Sequence, residues 1–315
     1  MNKSNQVSID YLNEQAKKLR IHTCKLVSER GRGYVQQGLG ASDLFSALLF
    51  SELNIEPKDP SWEGRDRLIV STSHNSAVYH AALYERGFFG KEELETYCKD
   101  GSKLEINISE RLGKPVEATC GSLGQGLSVA VGICLTAKRR NKLFNTYVVL
   151  GDGELQEGQV WEAAIYASNM KIDNLCLIID HNQMQVEGKS AGAIENFNLL
   201  DRWKSLNWNA LEINGNNVHE IIEAFDNFKN ESHKPTVIIA NTLPGKGVSF
   251  LEGIYSHNMF FSKKASKLRF FYICFIRVSD LDSRALVQIR DGPVAASDWG
   301  IQRLPGKMIN SIFFA

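Results

Sequence analysis

Asp152 stands between two glycines in Gly151-Asp152-Gly153, directly after the apolar run 147–150, and Asn182 follows thirty residues later, just past a second apolar run at 175–179. Glycine on either side of an acid lets the backbone approach a ligand closely. One carboxylate, one amide oxygen and a backbone carbonyl, completed by diphosphate oxygens, suit a hard divalent cation such as Mg²⁺. An isolated Gly-Asp-Gly is more often a tight turn. It is the asparagine at the end of the next apolar run that favours a ligand site.

Two further stretches carry chemical potential. Gly121-Ser122-Leu123-Gly124-Gln125-Gly126 precedes a helix-length amphipathic segment, and a glycine-rich loop opening a helix presents free N–H groups to an anion. The alternative is that these glycines serve only close helix–strand packing. His74 follows the apolar run 68–71 beside Ser73, where an imidazole can either handle protons or be a satisfied structural residue. Lys246, in Gly245-Lys246-Gly247, could meet a phosphate or only solvent.

Short β-branched runs at 68–71, 147–150, 175–179 and 237–240 predict buried parallel strands. Helix-length amphipathic stretches at 7–29, 42–53, 76–86, 123–140, 157–170 and 218–229 lie among them. Their alternation predicts an α/β fold, a mostly parallel sheet flanked by helices, with ligands beyond the carboxyl ends of the strands. Asp152, Asn182 and His74 fall just past such ends, and the glycine-rich stretch opens a helix.

The chain has 315 residues with 36 basic and 36 acidic side chains. With no net field to hold a polyanion, neither nucleic acid nor a membrane is expected as a partner. The longest late apolar run, 270–276, falls far short of the roughly 20 residues that span a bilayer. Six scattered cysteines, none in a C-x-x-C pair, read as reduced thiols of a cytoplasmic protein. The neutral total hides a break near residue 258: 259–315 contains no Glu but 7 of the 16 Phe, and is net basic. The expected division is a cofactor domain over 1–258 and a dissimilar tail over 259–315, which reads either as a basic interaction module or as a frameshift or fusion scar.

With these motifs in place, the chain resembles the N-terminal, thiamine diphosphate-binding section of transketolases. The resemblance rests on the extended form GDGELQEGQVWEA with Asn182 downstream, on Asp66-Arg67-Leu68-Ile69-Val70-Ser71 leading to His74, on the Glu117 to Gly126 segment, and on Asn241 to Phe250. It implies that Asp152, Asn182 and the Met184 carbonyl hold Mg²⁺. It also implies that Gly121, Ser122, Leu123, Gly124, Gly151, Gly153 and Glu154 belong to the cofactor cleft, with Glu157 facing a partner subunit. His74 matches a family histidine that contacts the reacting carbons, and His257 corresponds to a second one.

The implied reaction is two-carbon ketol transfer between sugar phosphates, with thiamine diphosphate as electron sink. In the family, the pyrimidine half of the site belongs to a further domain. Here that half is expected on a separate C-terminal subunit, in a dimer or heterotetramer assembled through the helices at 123–140 and 157–170. A non-catalytic cofactor-binding subunit and an inactive truncated product are the alternatives. Two departures leave the acceptor sugar open: Tyr34 stands where a substrate-facing histidine is usual, and Ser109-Glu110-Arg111 where a second Gly-His is expected. Split transketolases can lack these histidines, and the chain looks most like their N-terminal half.

Overall fold

The structure, a computed structural model, describes residues 7–185, 188–189, 198–249 and 251–254. His257 and the tail expected over 259–315 lie outside them.

The chain begins with α1 (Ile9–Arg30), which starts at Ser8, whose hydroxyl accepts from the Tyr11 N–H, and stops at Gly31 in the left-handed conformation. Two short helices follow, α2 (Val35–Gly40) and α3 (Ser42–Ala47). The helix expected over 42–53 gives way to a widened turn, Leu48–Glu52, that ends with Glu52 accepting from the Tyr147 hydroxyl at 2.7 Å and Lys229 at 3.0 Å. Next come β1 (Arg67–Val70), α4 (Ser76–Arg86), α5 (Lys91–Leu94), α6 (Gln125–Arg139), β2 (Thr146–Gly151), α7 (Gly158–Asn169) and β3 (Leu175–His181). The small hairpin β4 (Met184–Gln185) and β5 (Gly188–Lys189) follows. The described chain is completed by α8 (Leu199–Ser205), β6 (Asn209–Asn214), α9 (Val218–Asn230) and β7 (Thr236–Asn241).

Five strands form one wholly parallel sheet in the order β1-β2-β3-β7-β6. Its central strands are buried on both faces because side chains alternate between two cores. Tyr147, Val149, Cys176, Ile178 and Ile238 point into the core shared with α1, α3, α4 and α9. Val148, Leu150, Leu177, Ile179 and Ile239 point into the core under α6, α7 and α8, where Trp161, Trp203 and Trp208 pack ring on ring. Each such aliphatic contributes roughly 1.5–3 kcal/mol by leaving water, so the sheet is a rigid platform for whatever lies at its ends.

All four expected strands are present. The sequence reading missed β6, an edge strand whose residues are mostly half-buried and which lacks an apolar run. It also missed the short helices α2, α5 and α8, each too brief to show a helical period.

Candidate functional site

Because the strands are parallel, the segments following β1, β2, β3 and β7 all emerge at one end of the sheet. Asp152 opens the tight turn Asp152–Gln156 at the end of β2 and is 8 % exposed. One of its oxygens accepts from the Gly153 N–H at 3.0 Å, and the other accepts from the Gln183 N–H at 2.9 Å. The turn after β3 is thus closed onto Asp152. Gln183 reaches that position with a φ of 56°. Asn182, on the same turn, accepts from the Met184 N–H at 2.9 Å and donates through its amide nitrogen to Asp180 at 3.1 Å. The three residues expected to hold a metal therefore lie on two neighbouring turns joined by the Gln183–Asp152 hydrogen bond.

The glycine-rich loop runs alongside. Gly121 and Ser122 are exposed and Leu123 is half-buried, and a side chain at Gly121 would meet nothing within 4 Å. Gly124 is buried and caps α6 with a φ of 79°. A Cβ there would sit 2.8 Å from that of Glu157, and one at Gly126 would sit 2.5 Å from that of Ser71. The beginning of the loop is therefore open, while its end needs glycine for packing.

Glu154 and Glu157 differ in setting. Glu157 is exposed at the start of α7. Glu154 is 2 % exposed and turned beneath the loops, where it accepts from the Ser71 hydroxyl at 2.7 Å and from the Gly124 and Gly151 N–H groups at 2.8 Å each. A second buried carboxylate, Asp180, accepts from Thr242, Asn75 and Asn182. Burial pushes both carboxyls up from the usual carboxylate range, against the donors that hold them down.

Ser71, Asn75, Asp180 and Thr242 were not singled out from the sequence. The available signal was their position: polar residues at or just past the ends of otherwise apolar strands, where an unpaired buried group would be costly.

His74 lies on the turn Ser73–Asn75 after β1, half-exposed. The ring of Tyr34 meets it edge-on, with centroids 4.6 Å apart and planes at 89°. Burial, followed by the nearby Cys98, raises the Tyr34 phenol above its ordinary value. The residue that departs from the family pattern is thus brought against the histidine that follows it.

As a metal-binding set, Asp152 offers the one carboxylate, with Asn182 and Met184 able to add neutral oxygens. That falls short of the roughly six oxygens Mg²⁺ takes, so the set fits a cation that arrives with diphosphate oxygens of its own. Lys246 stands 3.7 Å from Glu252, both partly exposed. The described cavity of about 560 Å³, lined by Arg67, Ile133, Arg140, Lys142 and Phe144 among others, is at the opposite, amino ends of β1 and β2 and does not belong to this site.

A parallel sheet with an acidic turn, an amide turn and a glycine-rich helix start at its carboxyl end defines an α/β domain of the kind that binds a phosphorylated cofactor beyond the strands. More specifically, residues 12–259 match the transketolase thiamine diphosphate-binding domain, and the chain belongs to the transketolase family. It is 39 % identical over 242 residues to a transketolase family protein of Sinorhizobium fredii, covering 76 % of this chain and 87 % of that one. It is 37 % identical over 249 residues to the 6-deoxy-6-sulfo-D-fructose transketolase subunit of a Clostridium strain, covering 79 % of this chain and 90 % of that subunit. Among solved structures, the transketolase of Campylobacter jejuni superposes with a TM-score of 0.77 at 33 % identity, over 84 % of this chain but 43 % of that one. The chain thus spans less than half of that transketolase and nearly all of the subunit-sized relatives.

Proposed function

We propose that this chain is the cofactor-binding subunit of a two-chain transketolase, which transfers a two-carbon ketol unit between sugar phosphates using thiamine diphosphate and Mg²⁺. The observation that carries this reading is the hydrogen-bonded unit of Asp152 with the Asn182–Met184 turn, set beside the open start of the Gly121–Gly124 loop. Bound thiamine diphosphate supplies the electron sink for cleaving and forming the ketol carbon–carbon bond. Asp152, Asn182 and the Met184 carbonyl would hold the cation, the N–H groups at the open start of the glycine-rich loop would face the diphosphate, and Gly153 would let the backbone approach it. His74, against whose ring Tyr34 packs, would hold or move a proton at the sugar. His257 is assigned the same kind of role from the sequence alone.

The pyrimidine half of the site is assigned to a second, C-terminal-type chain, which fits the match in length to a relative named as a subunit. Association in a dimer or heterotetramer through α6 and α7 is supported by Ile165 and Tyr166, 48 % and 47 % exposed on α7, and by the exposed Glu157 at its start. The five described cysteines are buried and form no disulfide among the described residues, in keeping with a reducing, cytoplasmic setting.

The test is Asp152→Ala. Alanine cannot replace a ligating carboxylate, so Mg²⁺-dependent thiamine diphosphate binding should be lost while the far-ultraviolet circular dichroism is unchanged. Undiminished cofactor affinity would refute the assignment. In parallel, the unaltered chain co-expressed with a pyrimidine-domain chain should acquire ketol transfer between sugar phosphates. A bound cofactor without turnover would favour a non-catalytic binding subunit.

A further inference from the structure

The carboxylate of Glu154 accepts three hydrogen bonds, and only the one from the Gly151 N–H, three residues back, is the ordinary local cap of a turn. The other two come from far along the chain: Ser71, after β1, is 83 residues away, and Gly124, at the start of α6, is 30 residues away. Ser71 in turn accepts from the Gly126 N–H at 3.2 Å. A single side chain therefore joins the end of β1, the start of α6 and the end of β2, which are three of the segments that wall the candidate cleft.

The arrangement demands an acceptor at both oxygens. Oε1 faces the Gly124 N–H and the Ser71 hydroxyl, and Oε2 faces the Gly151 N–H. Serine can reverse its role and accept, but a backbone N–H cannot. A glutamine at this position has one oxygen, so its NH₂ must oppose either the Gly124 or the Gly151 N–H, whichever way the amide is turned. Solvent cannot make good the loss, because Glu154 is 2 % exposed.

We propose that Glu154 is the positioning residue of the cofactor cleft: it touches no ligand, and by accepting from Gly124, Gly151 and Ser71 it sets the spacing between the glycine-rich loop and the Asp152 turn before any cofactor arrives. This rests on the thiamine diphosphate reading for its function, though not for its structural half. Preorganisation of this kind lowers the cost of binding, since the loops need not be ordered by the ligand.

The experiment is Glu154→Gln in the full chain, read in two ways. Amide hydrogen exchange on the cofactor-free protein should quicken by about tenfold or more at Gly124 and Gly151 while β2 residues 147–149 and β3 stay protected. Thiamine diphosphate affinity at saturating Mg²⁺, measured by calorimetry, should fall by about tenfold or more. Wild-type exchange at both glycines, or wild-type cofactor affinity in the Gln variant, overturns the proposal. Should that variant fail to fold, Ser71→Ala removes one arm alone: exchange at Gly124 and Gly126 should quicken and affinity fall several-fold, and no change in either overturns the proposal equally. In the double variant, the loss should not exceed that of Glu154→Gln by the full Ser71→Ala effect, because the two residues act through one contact. An unaltered chain that binds no thiamine diphosphate would instead refute the function proposed above, and the exchange measurement would still decide the role of Glu154.

Discussion

Replacing His80 with leucine should change how the stability of the protein depends on pH. His80 lies on α4, is 0 % exposed and has no hydrogen-bond partner at either ring nitrogen. Its neighbours include Tyr79 and Tyr97, with ring centroids at 6.2 and 5.8 Å. Burial pushes its pKa down to about 3, whereas an unfolded chain holds histidine near about 6.5. Between those values the unfolded state takes up a proton that the folded state refuses. Stability from this source is complete above the unfolded value and declines as pH falls toward the folded one. At pH 5 the decline amounts to about 2 kcal/mol, from roughly 1.5 pH units at about 1.36 kcal/mol each. His80→Leu removes this proton linkage and keeps a similar volume. Urea unfolding of both proteins at pH 7 and pH 5 should therefore show the wild type losing about 2 kcal/mol more than the variant across that interval. At pH 7 the variant should already be more stable, by on the order of 1 kcal/mol, because an unpartnered buried polar group has been removed. Parallel losses in the two proteins would show that the imidazole is protonated or hydrated in the fold, and the reasoning would fail.

Two further outcomes follow from packing. Gly126→Ala places a methyl group 2.5 Å from the Ser71 side chain; it should destabilise the chain by about 1–3 kcal/mol in thermal or urea unfolding, and a neutral result would mean that α6 can shift away from β1. Ile165→Glu, on the exposed face of α7, should leave the melting temperature of the isolated chain within a few degrees of wild type and abolish co-elution with a pyrimidine-domain chain, whereas retained co-elution would move the interface elsewhere.

The sequence by itself determined the sheet's central strands and the acidic turn, because both are local patterns. A continuous β-branched run buries itself on two faces wherever it lies in the chain, and Gly-Asp-Gly at the end of such a run needs only its own neighbours to form. The thirty-residue spacing to Asn182 was legible for the same reason: it is one strand–helix–strand unit in length. The edge strand β6 was not legible, since a half-exposed strand has no apolar run to announce it. The support beneath the site was also hidden. That Glu154 turns away from the cleft to meet Ser71 and Gly124, that Asp180 gathers Asn75, Asn182 and Thr242, and that Tyr34 lies against His74 are all facts of contact between distant segments. Hydrogen-bonding capacity is written in a residue's type, but its partner is chosen only when parallel pairing of the strands brings their carboxyl ends to the same side.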